Sequence, residues 1–214
     1  MLDFSKTKEE IINRYDNRFK EHGIDPLSLN WQDFKSQNKR FENILDFINI
    51  NNKKIIDIGC GFADLLKYIQ EKKINFKEYT GTDINPNFIN QCKKLYPERN
   101  FFNNNLFNED LPKDNYDIAL MVGMLSYKFK SFDNNHFIKE VINKAFSSVK
   151  ETLIFDMQSS VTNPDYPTAD HIHYQNPGEI LDFALSLTPY VTIKHDYMPN
   201  PAREFLIILN HKSR

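Results

Sequence analysis

The chain has 214 residues, 40% of them hydrophobic and 14% aromatic, and its 27 Lys and Arg against 29 Asp and Glu leave a formal net charge of −2. That length suits one domain with a single buried core, and its longest apolar runs, such as 205–209, fall far short of the ~20 residues that cross a bilayer. Two Cys, at 60 and 92, sit in no CxxC pair and make no disulfide framework, the first residues lack the pattern of a secretory signal, and the near-neutral charge argues against nonspecific grip on nucleic acid. The expectation is a soluble, cytoplasmic protein with no membrane segment and with most of its many Asn on the surface.

Residues 8–22 place Ile11, Ile12, Tyr15 and Phe19 at helical spacing, and His22-Gly23 closes the run as a C-cap would. Asp25-Pro26 breaks the chain. A second helix is predicted from about residue 31 to 48, with Phe34, Phe41, Ile44, Leu45 and Ile48 on one stripe. Gln37 interrupts that stripe, either as the polar edge of a buried face or as part of a ligand site. From residue 53 strand and helix patterns alternate, which predicts a mostly parallel sheet covered on both faces. Strands are expected at 55–58, 79–83, near 101–102, at 116–122 and at 152–157, with helices at 63–70, from Pro86 to Tyr96 and at 133–146. Asn85-Pro86 starts the middle helix with an N-cap and a proline at the first helical position. The longest irregular stretch is 158–175. Asn176-Pro177-Gly178-Glu179 then opens a helix to about residue 187. Two closing β-rich runs, 190–197 and 203–210, are separated by five residues. That is too few for a helical crossover, so they must be antiparallel. The organisation expected is a helical extension or lid at 1–50 and an α/β domain at 51–214.

The sharpest signal is Ile55-Ile56-Asp57-Ile58-Gly59-Cys60-Gly61-Phe62-Ala63-Asp64, a strand, a glycine turn and a helix start. Glycines at 59 and 61 let the backbone approach a ligand, and the helix behind presents free N–H groups. The third glycine of a dinucleotide fingerprint is replaced by Asp64, and no Gly-Lys-Ser or Gly-Lys-Thr follows to make a P-loop. Asp57 would oppose a pyrophosphate and suits a ligand with an ammonium group and a cationic sulfonium, so the turn reads as an S-adenosylmethionine site. In Tyr79-Thr80-Gly81-Thr82-Asp83-Ile84 an acid ends the next strand 22 positions after Gly61. A carboxylate there accepts ribose hydroxyls in other nucleotide-binding sheets, with Ile84 packing on the adenine. The competing role for Asp83 is a solvated strand end or a cap for the Pro86 helix.

These residues resemble a class I S-adenosylmethionine-dependent methyltransferase over roughly residues 53–210, through the hydrophobic-hydrophobic-Asp-x-Gly-x-Gly pattern at Ile55 to Gly61. The resemblance implies a Rossmann-like, seven-stranded, mostly parallel sheet in the order 3-2-1-4-5-7-6 with the last strand antiparallel. By position it places Asp57, Gly59 and Gly61 along the methionine half of the cofactor and Asp83 on the ribose. The family's adenine-binding acid falls on Asn105, whose amide can accept the adenine amino proton, with the Leu106 backbone beside it. Val122-Gly123, after the fourth strand, would pass beneath the cofactor. The segment with Trp31, Gln37, Arg40 and Phe41, together with His195-Asp196-Tyr197 and Arg203-Glu204-Phe205, is similar to a group of small bacterial methyltransferases. A helix before the first strand commonly covers the cofactor there, so Gln37 and Arg40 are expected at its carboxylate, for which Arg offers a planar donor fork. The alternative for Arg40 is a surface pair with Asp33 or Glu42.

Ligands of open α/β sheets bind at the carboxyl ends of the strands, so the acceptor residues are sought after strands four and five. Tyr127 and His173 are the expected catalytic groups, His173 as base, and His171, Tyr166 and Tyr174 the substrate-binding ones. No Asn/Asp-Pro-Pro-Tyr follows strand four, as amino-methylating DNA and protein enzymes carry. No acid stands there for a catechol-type metal either, and no metal is expected. The function expected is methyl transfer to oxygen or nitrogen of a small polar metabolite or a glycan or secondary-metabolite precursor. The alternatives are an RNA or protein methyltransferase of the same fold and a non-catalytic cofactor-binding or scaffold subunit.

Overall fold

A computed structural model describes residues 4–112, 115–161, 168–198 and 204–212. In chain order the elements are α1 (Ser5–His22), a single 3₁₀ turn (Pro26–Leu29), α2 (Phe34–Leu45), β1 (Lys54–Ile58), α3 (Asp64–Glu71), β2 (Glu78–Asp83), α4 (Pro86–Leu95), β3 (Asn100–Asn103), β4 (Tyr116–Met121), α5 (Asn134–Ser147), β5 (Val149–Gln158), α6 (Pro177–Leu187), β6 (Val191–Lys194) and β7 (Glu204–Asn210). The sheet runs β3-β2-β1-β4-β5-β7-β6. All pairings are parallel except those of β7, which is antiparallel to both β5 and β6. This is the Rossmann-like order that the family resemblance implied.

Continuous apolar strands supply both faces of the sheet, because successive side chains point to opposite sides. Ile56, Ala119, Leu153, Phe155, Ile207 and Leu209 pack on one side with α5 and α6. Ile55, Ile118, Leu120, Ile154, Leu206 and Ile208 pack on the other with α2 and α3. The N-terminal extension is pinned by Phe4, 1% exposed, whose ring lies 4.8 to 5.8 Å from those of Phe107, Phe129, Phe132 and Phe137. Burying such a ring is worth roughly 1.5–3 kcal/mol before any aromatic geometry is counted, so α1 is anchored at its start.

Side-chain caps fix the helix entries. Asn85 Oδ1 accepts from the Asn87 and Phe88 amides as the Asn-Pro pair predicts, and Asn176 accepts from Gly178 N. The second helix is shorter than its apolar stripe suggested. Asp33 accepts from Ser36 N at 2.7 Å, which starts α2 at Phe34 and leaves Trp31 in the extended segment before it.

Candidate active site

β1 ends at Ile58, and the amides of Gly59 and Cys60 both donate to Thr82 O, at 2.7 and 3.0 Å, tying the glycine turn to the end of β2. Gly61 N donates to Asp83 Oδ2 at 3.0 Å and Asn85 N to Asp83 Oδ1 at 2.8 Å. Each carboxylate oxygen therefore keeps acceptor capacity on the cleft side. Burial pushes the Asp83 carboxyl up to about 6, against the pull of the Asn85, Gly61 and Ile84 amides. Gly59, Gly61, Asp83, Ile84, Asn105, Leu106, Val122 and Gly123 all line one cleft at the carboxyl ends of β1, β2 and β4.

The N-terminal extension roofs this cleft with Ile11 and Tyr15 from α1 and with Leu29 and Trp31 from the segment that follows. Two glycines make the close approach possible. A Cβ on Gly61 (φ 55°) would stand 2.6 Å from Leu29 Cδ1, and one on Gly123 (φ 73°) 2.8 Å from the Trp31 ring. Both positions have left-handed backbone that a side chain would strain.

The cleft fits S-adenosylmethionine on two independent observations. Thr82 Oγ1 and Asn104 Oδ1 line it as buried acceptors with no partner among the described residues, and an unmet buried acceptor is costly unless a ligand supplies the donor. The carboxylate at the end of β2 and the glycine cradle at the end of β1 line the same cleft. Neither Thr82 nor Asn104 was singled out in the sequence, although Thr82 directly precedes Asp83 and Asn104 lies within the Asn103-Asn104-Asn105 run.

Two expected cofactor contacts lie elsewhere. Asp57 does not line the cleft; it is 3% exposed and accepts from the Tyr79 hydroxyl behind the turn. Burial raises its carboxyl to about 7, the Tyr79 hydroxyl opposing. It shares the sheet face of Ile55, since side chains two apart point the same way. Gln37 donates to Asp64 Oδ2 at 3.0 Å, between α2 and α3 and away from the glycine turn. Its Oε1 is buried without a partner among the described residues.

Arg40 is neither a free fork for a ligand carboxylate nor a surface residue paired with Asp33 or Glu42. Its Nη1 lies 2.8 Å from Asp156 Oδ2 and its Nη2 pairs with Glu204. Tyr197 donates to Asp156 at 3.1 Å and Gln158 to Glu204 at 2.8 Å. Gly123 N donates to Asp156 Oδ1 at 2.6 Å, while the guanidinium lies 4.5 Å from the centre of the Trp31 ring. This buried cluster holds both the Trp31 roof and the Gly123 floor.

A second, more polar cleft of about 540 Å³ opens beside the first. Tyr15, Leu29, Trp31, Gly123 and Tyr127 belong to the walls of both. Ser126, Gln158, His171, Tyr174 and Glu204 complete the lining together with the cations Arg14, Lys35, Lys39 and Arg40. His171, expected only to bind substrate, is the histidine that faces this space. Burial, with Arg14 and Arg18 nearby, lowers its pKa against the pull of Asp170, so the imidazole is neutral at pH 7. His173, the expected base, lies outside the lining, with its Nε2 2.7 Å from Gln175 Oε1 and 3.3 Å from Asn135 Oδ1. Tyr127 donates to Glu10 at 2.8 Å, and burial followed by Glu10 pushes its hydroxyl up to about 12. It acts as a donor rather than a base. Tyr174 accepts from Ala169 N at 2.9 Å; Tyr166 lies outside the described residues.

The fold and the first cleft define a nucleotide-site α/β domain, and comparison with known proteins narrows the class. Residues 56–152 match the family model described as a methyltransferase domain. A protein of Invertebrate iridescent virus 6 named methyltransferase 235L is 25% identical over 147 residues, 66% of this chain; the chain spans about half, 55%, of that relative's length. The S-adenosylmethionine-dependent methyltransferase of Mesorhizobium loti superposes with a TM-score of 0.62 at 12% identity, covering 81% of this chain and 98% of the other. The small RNA methyltransferase HEN1 superposes equally well, 0.62 at 16% identity, over 83% of this chain and 25% of its own. The match over residues 56–152, which runs from β1 into β5, and the sheet order together support a class I S-adenosylmethionine-dependent methyltransferase domain.

Proposed function

We propose that this protein transfers a methyl group from S-adenosylmethionine to an oxygen or nitrogen of a small polar acceptor. The observation that carries this reading is the shared wall, where the glycine-turn cleft and the polar cleft meet at Trp31, Gly123 and Tyr127. Adjoining sites suit a direct displacement, which needs chiefly alignment and exclusion of water. Bound in the first cleft, the cofactor supplies a methyl carbon on cationic sulfur; the acceptor's lone pair forms the new bond to it as the carbon–sulfur bond breaks, and that electron pair stays on sulfur.

Asp83 is assigned to the ribose hydroxyls, Ile84, Asn105 and Leu106 to the adenine, and Gly59, Gly61, Val122 and Gly123 to the backbone around the methionine end. Thr82 and Asn104 add acceptors on the same wall. In the polar cleft the neutral imidazole of His171 takes the proton that a hydroxyl acceptor releases. The Asn30 amide, 3.5 Å from His171 Nε2, is too distant to hold that lone pair firmly. The Tyr127 hydroxyl keeps its own proton.

Calorimetric titration with S-adenosylhomocysteine is expected to give saturable one-to-one binding, and no binding would sink the reading. Transfer of labelled methyl into a low-molecular-mass cell extract should fall roughly 10²–10⁴-fold in His171→Ala, the usual worth of a positioned base, while His173→Ala retains most of it. Label recovered on RNA or protein would move the acceptor to those classes, and cofactor binding with no transfer to any acceptor would make the chain a binding subunit.

A further inference from the structure

The unmet bonding capacity of the polar cleft is one-sided. Glu204 is committed to Arg40 and Gln158. Asp33 is exposed and accepts the Ser36 amide on Oδ1; that bond, the Ser36 hydroxyl and the charge of Lys35 lower its pKa. The cations differ. Lys39 is paired with Glu42 at 2.7 Å, but Arg14 and Lys35 form no ion pair among the described residues. Arg14 instead lies 5.6 Å from the centre of the Tyr127 ring, at the junction of the two clefts. Nε of Arg40, on the same wall, is buried with no partner among the described residues. The lining thus carries four cations, Arg14, Lys35, Lys39 and Arg40, against two carboxylates, Asp33 and Glu204, and two of the cations form no ion pair among the described residues.

Unspent donors in a concave site call for an acceptor of hydrogen bonds, and a guanidinium and an ammonium call for an anionic one. A cationic amine would meet Arg14 and Lys35 as like charges. We infer that the methyl acceptor carries a carboxylate or phosphate group, gripped by Arg14 and Lys35 in the cleft that His171 also lines. This rests on the methyl-transfer reading and names the substrate class of that same site. Arg14 sets where the anion ends and the reacting atom begins, because its guanidinium lies against the Tyr127 ring that both clefts share. A nucleic acid offers phosphates too, but the overall charge of −2 favours a small anion over a polyanion.

The test uses the full chain saturated with S-adenosylhomocysteine and reads binding by calorimetry and by the fluorescence of Trp31, the sole tryptophan. Benzoate and phenyl phosphate are titrated against the neutral benzamide and the cationic benzylamine. One of the two anions is expected to bind at least about tenfold more tightly than benzamide, the effect of one charge-assisted hydrogen bond, and the stronger of the two separates a carboxylate site from a phosphate site. Arg14→Gln and Lys35→Gln should each collapse that ratio towards unity. Because the ratio compares ligands on one protein, a merely structural change would not move it. Equal binding of benzoate, phenyl phosphate and benzamide, preference for benzylamine, or an unchanged ratio in both variants would overturn the inference. So would a loss in Arg14→Gln of the preference for S-adenosylhomocysteine over 5′-methylthioadenosine, which would give these cations to the cofactor's own carboxylate. Failure of S-adenosylhomocysteine to bind at all would instead fall on the methyl-transfer reading.

Discussion

Asp83 is the residue whose role is easiest to interrogate. Its carboxyl holds a proton up to about pH 6, chiefly because burial disfavours the charge. A protonated carboxyl cannot accept from two ribose hydroxyls through both oxygens, so the proposed contact needs the ionised form. Below about pH 6 a proton must leave before the cofactor binds, and affinity for S-adenosylhomocysteine should fall about tenfold per pH unit. Above that pH the curve should be flat. Asp83→Asn should bind more weakly above about pH 6 and lose this acid limb; a wild-type affinity independent of pH from 5 to 7 would remove Asp83 from the ribose. Asp83 stood out in the sequence as an acid at a strand end, 22 positions past Gly61, where a solvated end or a cap for the Pro86 helix competed with the ribose. The two loop histidines were not separable in the same way. His171-Ile172-His173 leans on Tyr127 through a bridge at Ile172 and on Ser126 and Lys128 through backbone bonds, and only that long-range pairing tells which ring enters the cleft. Gln37 and Asp57 were misdirected for a related reason: each carries a polar group whose partner, Asp64 or Tyr79, comes from a different element.

At the scale of elements, the helix before the sheet is joined to the last strand through charge. Arg40 of α2 reaches Asp156 of β5 and Glu204 of β7, and Asp156 in turn holds the Gly123 amide. Removing one member of such a buried set leaves the others uncompensated, which typically costs ~3–5 kcal/mol. Arg40→Ala should therefore lower the urea midpoint by a matching amount. Asp156→Asn keeps an acceptor for Gly123 N and relieves one charge, so it should be milder. Equal midpoints for Arg40→Ala and wild type would show that the cluster adds no stability. The strands, turns and capped helices were readable because their signals are local: the glycine turn, Asn85-Pro86 and Asn176-Pro177 each sit where one element ends and the next begins. The length of β5 was not. It extends from Val149 to Gln158 because β7 pairs along it from Thr152 to Gln158, and nothing in the segment itself announces that partner.

For the whole molecule, buried carboxyl groups set the dependence of stability on pH. Asp57 has a folded value of about 7, raised from 3.8 by burial, with the Tyr79 hydroxyl opposing. Between those values the unfolded chain releases the proton and the folded chain keeps it, so unfolding becomes easier as pH rises. The contribution is complete below the unfolded value and gone above about 7. Asp83 and Asp156 are raised in the same direction. Denaturant midpoints should decline from pH 4 to 7, and Asp57→Asn, which keeps an acceptor for Tyr79, should flatten part of that slope. A profile rising over that interval in wild type would contradict the burial of these groups.

β7 is buried along its whole length and fills the gap between β5 and β6. During vectorial synthesis the other six strands of this sheet leave the ribosome before it. Until then β5 presents an open apolar edge, the kind that recruits other chains. Glu204 arrives with the same strand, so the charge cluster behind Trp31 and Gly123 closes only when the sheet does. A nascent chain halted before this point would hold the glycine turn and Asp83 yet lack the partner that steadies Arg40, so the second cleft is completed only with the final strand of this sheet.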